Sequence, residues 1–147
     1  MAITTLILPE KEGSAIIAAE YALKTMKRIL VVDDEIAIRN LLKEFLSRKG
    51  YDVYTASDGR AAIAEVKEIR PHIVLLDIMM PGMGGMDTLK EIRKIDPRVG
   101  VIMVTAIADE ELGKRAIALG ACDYITKPLN FDYLETALMV KMMDLLG

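Results

Sequence analysis

The sequence predicts an α/β domain in which a parallel five-stranded sheet is covered by helices on both faces. Two kinds of segment, alternating along the chain, predict this class. Short runs rich in valine, isoleucine and leucine alternate with longer segments whose apolar residues recur at helical spacing. Because parallel strands need a crossover connection, usually a helix, this alternation favours a parallel sheet over a meander. The length of 147 residues fits one domain.

The strands and helices follow one another in strict order. The predicted strands are RILVV, YDVYTA, HIVLLD, VGVIMVTA and CDYIT, at residues 28–32, 51–56, 72–77, 99–106 and 122–126. The predicted helices occupy residues 35–50, 57–71, 84–97, 108–120 and 130–147. Glycine or proline ends several of them. The first helix is indicated by apolar residues at helical spacing, namely Ile36, Leu41, Leu42, Phe45 and Leu46.

Composition excludes several classes of protein. The formal net charge of −3 gives no reason to expect nucleic-acid or membrane binding by charge. No apolar run reaches the ~20 residues that span a bilayer, and the opening residues lack the basic region of a secretory signal. The single cysteine, Cys122, excludes an internal disulfide and fits a reducing compartment. We therefore expect a cytoplasmic protein, with Cys122 as a small buried hydrophobic residue and His72 as a structural residue.

Polar residues stand where four of the predicted strands end. Asp33 and Asp34 follow the first strand, Asp77 ends the third, Thr105 lies at the end of the fourth, and Lys127 follows the fifth. The carboxyl ends of parallel strands meet at one edge of the sheet, where ligands bind to such folds. An Asp-Asp pair alone would more simply be a helix cap. Because Asp77, Thr105 and Lys127 stand at the corresponding ends of other strands, a ligand-binding site is the favoured interpretation.

The chemistry of this set points to a metal and a phosphoryl group. Three converging carboxylates repel one another unless a cation lies between them. Mg²⁺ is the natural cation, since it takes hard oxygen ligands and often shares its coordination shell with phosphate. Lys127 supplies a positive charge and Thr105 a hydroxyl for phosphoryl oxygens. A carboxylate in these surroundings is equipped to attack phosphorus and become an acyl phosphate.

The sequence resembles the receiver domain of two-component response regulators. The resemblance rests on ILVVDDE, VLLDIMMPGMGG, VIMVTA and GACDYITKP, which occur in the family's order over roughly residues 26–146. It implies a flavodoxin-like, doubly wound sheet of strand order 2-1-3-4-5. It also implies phosphoryl transfer to an aspartate from a sensor histidine kinase or a phosphotransfer protein. Such a receiver assists its own phosphorylation and dephosphorylation but is not a turnover enzyme.

The resemblance also implies a role for each residue of the metal site. Asp77 is the expected phosphoacceptor. Asp34 and Asp77 are expected to bind Mg²⁺ directly, and Asp33 mostly through water. Met79 is expected to contribute its backbone carbonyl to the same ion.

Further roles concern the phosphoryl group and the signal. Thr105 and Lys127 are expected to contact the phosphoryl group, with a cis Lys127–Pro128 bond. Tyr124 falls on the family's aromatic switch position, which implies a signal at the face built from the fourth helix, fifth strand and fifth helix. Met79 and Ile107 correspond to positions that flank the water of hydrolysis, and both are apolar here.

The sequence departs from the family mainly at its beginning. Residues 1–25 form an expected extension to a receiver domain at residues 26–147. ITTLIL could add a strand and SAIIAAEYALKTM a helix, and the stretch AIIAAEYAL is apolar enough to predict an interface within the chain or in a homodimer. The last helix is apolar on two sides, with Leu134, Leu138, Met142 and Leu145 on one and Met139, Met143 and Leu146 on the other.

Three other functions compete with this interpretation. A phosphatase of the haloacid dehalogenase type needs a D-x-D-x-[TV] motif on the first strand, and DDEIA lacks it. A flavodoxin would need a hydroxyl-rich loop there, because acids repel the phosphate of FMN. A receiver-like docking module that is never phosphorylated remains the alternative. The downstream effector is left open, and the chain could be a stand-alone receiver or part of a longer regulator.

Overall fold

A computed structural model describes residues 15–17 and 27–146. Residues 15–17 are helical, whereas the predicted strand at residues 3–8 lies outside the described part of the chain. The strands are β1 Arg28–Val32, β2 Asp52–Ala56, β3 Ile73–Leu76, β4 Gly100–Thr105 and β5 Asp123–Thr126. The helices are α1 Ile36–Arg48, α2 Gly59–Ile69, α3 Gly85–Ile95, α4 Glu110–Ala118 and α5 Phe131–Leu146. Each matches a predicted segment to within a few residues.

All neighbouring strands are parallel, in the order β2-β1-β3-β4-β5. This confirms the predicted doubly wound topology. The order reverses between β1 and β3, because the chain first runs outward to β2 and then returns to the other side of β1. Val32 of β1 pairs with both Ala56 of β2 and Leu76 of β3. The strands therefore end level with one another at the edge where a ligand site is expected.

The sheet is covered on both faces, as predicted. Successive side chains of a strand point to opposite faces, so each strand contributes to two cores. One core holds Leu30 and Val32 together with buried residues of α2, α3 and α4. The other holds Ile29 and Val31 together with α1 and α5. The residues of α1 and α5 in this second core are Leu42, Leu46, Leu134, Leu138 and Met142.

Three apolar residues differ from the sequence-based expectation. Ile36 and Leu41 of α1 are 64% and 48% exposed, because Leu42 and Leu46, one turn apart, form the face of α1 that packs on the sheet. The prediction that Cys122 is buried was wrong. Its backbone N–H continues the ladder to Val101, but it precedes the edge strand β5 and its side chain is exposed.

Candidate functional site

Asp33 and Asp77 stand at the point where the strand order reverses. Each is the first residue beyond its strand, yet its backbone N–H still donates to a neighbouring strand. Asp33 N donates to Ala56 O at 3.2 Å and Asp77 N to Val32 O at 3.0 Å. The sheet therefore fixes the Cα positions of both acids. Both are buried, with 2% of Asp33 and 4% of Asp77 exposed.

Asp33, Asp34 and Asp77 form one acidic cluster. Each offers a carboxylate oxygen, and the three oxygens lie within 4.8 Å of one another. Asp34 is exposed, so the cluster opens to solvent on its side. The alternative that the Asp-Asp pair caps α1 fails, because the N-cap of α1 is Glu35 and it makes no side-chain capping bond. The Oδ1 atom of Asp33 instead accepts a hydrogen bond from the backbone N–H of Glu35 at 2.9 Å.

Lys127 reaches into this cluster from the end of β5. Its Nζ donates to Asp33 Oδ2 at 2.7 Å and to Asp77 Oδ2 at 3.3 Å. Glu35 Oε1 lies 3.5 Å from the same nitrogen. The Lys127–Pro128 peptide bond is cis, as predicted. The ammonium group thus bridges the carboxylates that end β1 and β3.

Burial and the attraction between opposite charges have opposing effects on the pKa values of Asp33 and Lys127. Burial raises the pKa of Asp33 above its usual value, although the hydrogen bonds from Lys127 and Glu35 partly oppose the shift. Burial also works against the charged form of Lys127. The hydrogen bond and charge of Asp33, with those of Asp77, outweigh it and raise the pKa of Lys127. The ammonium group therefore stays charged at neutral pH, as recognition of a phosphoryl oxygen requires.

Thr105 and Tyr124 lie on the side of β4 and β5. Thr105 is fully buried at the end of β4, and its Oγ1 accepts from Ile107 N at 3.4 Å. Its carbonyl accepts from Lys127 N at 2.8 Å, which ties the lysine to the end of β4. The hydroxyl of Tyr124 donates to Ile107 O at 2.6 Å. Thr105 and Tyr124 therefore contact the same loop residue from opposite ends.

Met79 and Ile107 have different surroundings. Met79 is 65% exposed, and its backbone N–H donates to Asp77 Oδ1 at 3.3 Å. Ile107 is partly buried and packs against the core on the face of α2, α3 and α4. The expected role of the Met79 carbonyl in metal binding stays a prediction.

Sequence reasoning missed three residues that support the site. Glu35 adds the third carboxylate around Lys127. Arg39, one turn into α1, donates from Nη1 to Asp33 O at 2.6 Å and so holds the loop between β1 and α1. Gly85 donates its N–H to Ile78 O at 2.9 Å and brings the start of α3 against the residue that follows Asp77.

The comparisons with known proteins agree with this geometry. The family model of the response regulator receiver domain matches residues 29–139. The chain belongs to the response regulator receiver family. It is 44% identical over 105 residues to the chemotaxis protein CheY of Thermotoga maritima, which covers 71% of this chain and 88% of that protein. It is 40% identical over 110 residues to the regulatory protein AtoC of Escherichia coli, which covers 75% of this chain and 24% of that protein.

Solved structures of receivers share the fold. A CheY-like receiver domain from Methanospirillum hungatei has a TM-score of 0.78 at 34% identity, covering 81% of this chain and 95% of that one. The response regulator TrrA from Thermotoga maritima, solved in complex with Mg²⁺ and a beryllofluoride, has a TM-score of 0.73 at 40% identity. That match covers 79% of this chain and 99% of TrrA. Within residues 15–17 and 27–146, no helix is both long and apolar enough to cross a membrane.

Proposed function

We propose that this receiver accepts a phosphoryl group on Asp77 in an Mg²⁺-dependent reaction, with a phosphohistidine of a sensor kinase or phosphotransfer protein as donor. One observation carries the proposal. Three carboxylate oxygens lie within 4.8 Å of one another, and the Lys127 ammonium contacts two of these acids at 2.7 and 3.3 Å. A carboxylate in contact with a fixed positive charge, beside a site for a divalent ion, meets the needs of phosphoryl transfer.

The donor set fits Mg²⁺. Asp33, Asp34 and Asp77 supply hard oxygen atoms, and Asp34 keeps the cluster open to the waters that this ion retains. We propose that Asp34 and Asp77 bind the ion directly, Asp33 mostly through water, and Met79 through its carbonyl. When bound, the ion would neutralise charge on the phosphoryl oxygens.

Asp77 is the proposed nucleophile because it stands at the position, directly after β3, that the family resemblance gives to the phosphoacceptor, and it is buried with its Oδ2 3.3 Å from Lys127 Nζ. One of its carboxylate oxygens forms a bond to phosphorus while the bond from phosphorus to the donor imidazole nitrogen breaks. The electron pair of that bond stays on the imidazole nitrogen, and the imidazole leaves as neutral histidine because its other ring nitrogen carries a proton. Lys127 and Thr105 hold the transferred oxygens. Later, water attacks the same phosphorus atom, the bond to the Asp77 oxygen breaks, and inorganic phosphate leaves.

The experiment uses a small acyl phosphate as donor and mass spectrometry of the intact protein as the measurement. The parent should gain one phosphoryl group with Mg²⁺ and none with a chelator. Asp77→Asn should gain none under either condition, and Asp34→Ala should lose the metal-dependent reaction while keeping the fold. Asp96→Asn, which changes a half-buried acid at the C-cap of α3, is the control and should react like the parent.

The alternative is a receiver that docks to partners without phosphorylation. A parent that gains no phosphoryl group with Mg²⁺ and donor would establish it. Phosphorylation of Asp34→Ala at the parent's rate would show instead that the metal ligands are assigned wrongly. The effector is not part of this proposal, because the chain spans only 24%, 44% and 25% of the length of three regulators that it matches.

A further inference from the structure

The loop between β1 and α1 holds its two aspartates very differently. Asp33 is buried, and its carboxylate accepts from Glu35 N at 2.9 Å and from Lys127 Nζ at 2.7 Å. Asp34 is exposed. In the described part of the chain, Lys127 also contacts Asp77 but not Asp34. The position of the Asp34 carboxylate therefore depends on how the backbone of the loop is held.

A side chain of α1 fixes the backbone between these two aspartates. Arg39 lies one turn into α1, where its own N–H donates to Glu35 O at 3.1 Å. Its guanidinium group donates from Nη1 to Asp33 O at 2.6 Å. That carbonyl belongs to the peptide group whose nitrogen is that of Asp34, and a peptide group is planar. Because a charged donor makes a strong hydrogen bond, Arg39 sets the direction in which the chain enters Asp34.

The charge of Arg39 cannot itself attract a divalent cation. A positive charge close to the acidic cluster repels Mg²⁺, so through charge alone Arg39 would weaken the site. Its hydrogen bond is to the carbonyl of Asp33, whereas the carboxylate of Asp33 is bonded to Lys127 at 2.7 Å. The two effects that Arg39 can have on Mg²⁺ binding, repulsion and positioning, thus have opposite signs. Removal of the side chain shows which of them is larger.

We propose that Arg39 is a positioning residue of the metal site, which presents the carboxylate of Asp34 to Mg²⁺ by holding the peptide group between Asp33 and Asp34. The inference rests on the proposed binding of Mg²⁺ at the acidic cluster. Arg39 contacts neither the ion nor the phosphoryl group and acts only through the backbone. Loss of a contact that orients a metal ligand from outside commonly lowers metal affinity about 10–100-fold. Positioning therefore outweighs repulsion at this site.

The test is a titration of the full-length, isotope-labelled chain with Mg²⁺ alone, followed by the amide NMR signals of the β1–α1 loop. No phosphodonor is present, so the affinity is measured apart from phosphorylation. Arg39→Ala should bind Mg²⁺ about tenfold more weakly than the parent. Arg39→Met, which keeps the apolar stem, should be weakened similarly, whereas Arg39→Lys, which keeps a charged donor, should bind more tightly than either. Lys43→Ala removes an exposed cation of the same helix and should bind no more weakly than the parent.

Ile92→Val shows whether lost stability alone could weaken Mg²⁺ binding. Ile92 is fully buried in the core on the other face of the sheet from α1, where this change lowers stability without touching the loop. Its Mg²⁺ affinity should equal that of the parent. Equal weakening in Ile92→Val and Arg39→Ala would overturn the proposal, as would an Arg39→Ala chain that binds Mg²⁺ as tightly as the parent. A parent that binds no Mg²⁺ would overturn the proposed metal site as well.

Discussion

At the scale of single residues, the two apolar side chains beside the acidic cluster are held very differently. Met79 is 65% exposed, and its backbone N–H donates to Asp77 Oδ1. Ile107 is held on three sides: its N–H bonds to Thr105, its carbonyl to Tyr124, and its side chain packs against the core. Met79 is therefore the side chain free to cover a phosphoryl group on Asp77.

We expect these side chains to slow the loss of phosphate, because neither can hold a water in line with the bond to Asp77. Met79→Asn should shorten the lifetime of the acyl phosphate a few-fold, and Met79→Asn with Ile107→Glu should shorten it further. Decay is followed by mass spectrometry after removal of the donor. Met83→Asn, the same change farther along the loop, is the control and should not alter the rate. A double variant that decays no faster than the parent, at equal Mg²⁺ and temperature, would contradict this.

The residues of the acidic cluster could be predicted because strand register determines them. Asp33 and Asp77 directly follow two strands that pair in parallel. Because the carboxyl ends of such strands lie at one edge of the sheet, the two acids come together independently of the loop conformations. Glu35 and Arg39 could not be predicted in the same way. Their contacts depend on how the β1–α1 loop turns and on which rotamers reach Lys127 and Asp33. Neither follows from periodicity.

At the scale of elements, the start of α3 determines how closely the helix approaches the acidic cluster. A Cβ on Gly85 would overlap the carbonyl oxygen of Asp77 and lie 2.6 Å from Cα of Ile78. A Cβ on Gly84, the N-cap of α3, would meet nothing closer than Ile78 O at 3.6 Å. The two neighbouring glycines thus differ in function. Only Gly85 permits the close backbone approach.

This difference gives a matched pair of variants. Gly85→Ala should push α3 away from Asp77 and lower the free energy of unfolding by about 1–3 kcal/mol, as overpacking does. It should also slow phosphorylation, since the displaced backbone carries the proposed nucleophile. Gly84→Ala should cost less, about 0.5–1 kcal/mol for the loss of a glycine N-cap, and should leave phosphorylation unchanged. Urea unfolding and the rate of phosphorylation measure both effects. Equal behaviour of the two variants would show that the approach at Gly85 is not required.

The helices were less predictable in detail than the strands. The spacing in α1 identified the helix but could not separate Leu42 and Leu46, which are buried, from Ile36 and Leu41, which are exposed. A helical period identifies a face only when the opposite face is polar. Helix α5 also has apolar residues on two sides, as the sequence predicts. Only one of these sides packs on the sheet: Leu134 and Leu138 are buried, whereas Met139 and Met143 are exposed.

At the scale of the whole molecule, a continuous set of contacts joins the acidic cluster to the α4–β5–α5 face. Thr105 accepts from the N–H of Ile107, and the carbonyl of Ile107 accepts from the hydroxyl of Tyr124. Tyr124 lines a cavity of about 560 Å³ with α4 residues, among them Gly113 and Ile117. We therefore expect a movement of Thr105 to act on the tyrosine through this one loop residue.

We expect phosphorylation to shift the rotamer population of Tyr124, because phosphate would draw Thr105 inward and change the space the ring can fill. The hydrogen bond to Ile107 should contribute about 1 kcal/mol to the rotamer seen here, which corresponds to about fivefold in its population. Tyr124→Phe removes only that bond and should lower the population accordingly. Fluorine NMR of the labelled ring, with and without Mg²⁺ and beryllofluoride as phosphate mimic, measures this population.

A ring with the same single rotamer in both states would show that the signal does not pass through Tyr124. The contact from Thr105 to Ile107 would then serve only to order the loop.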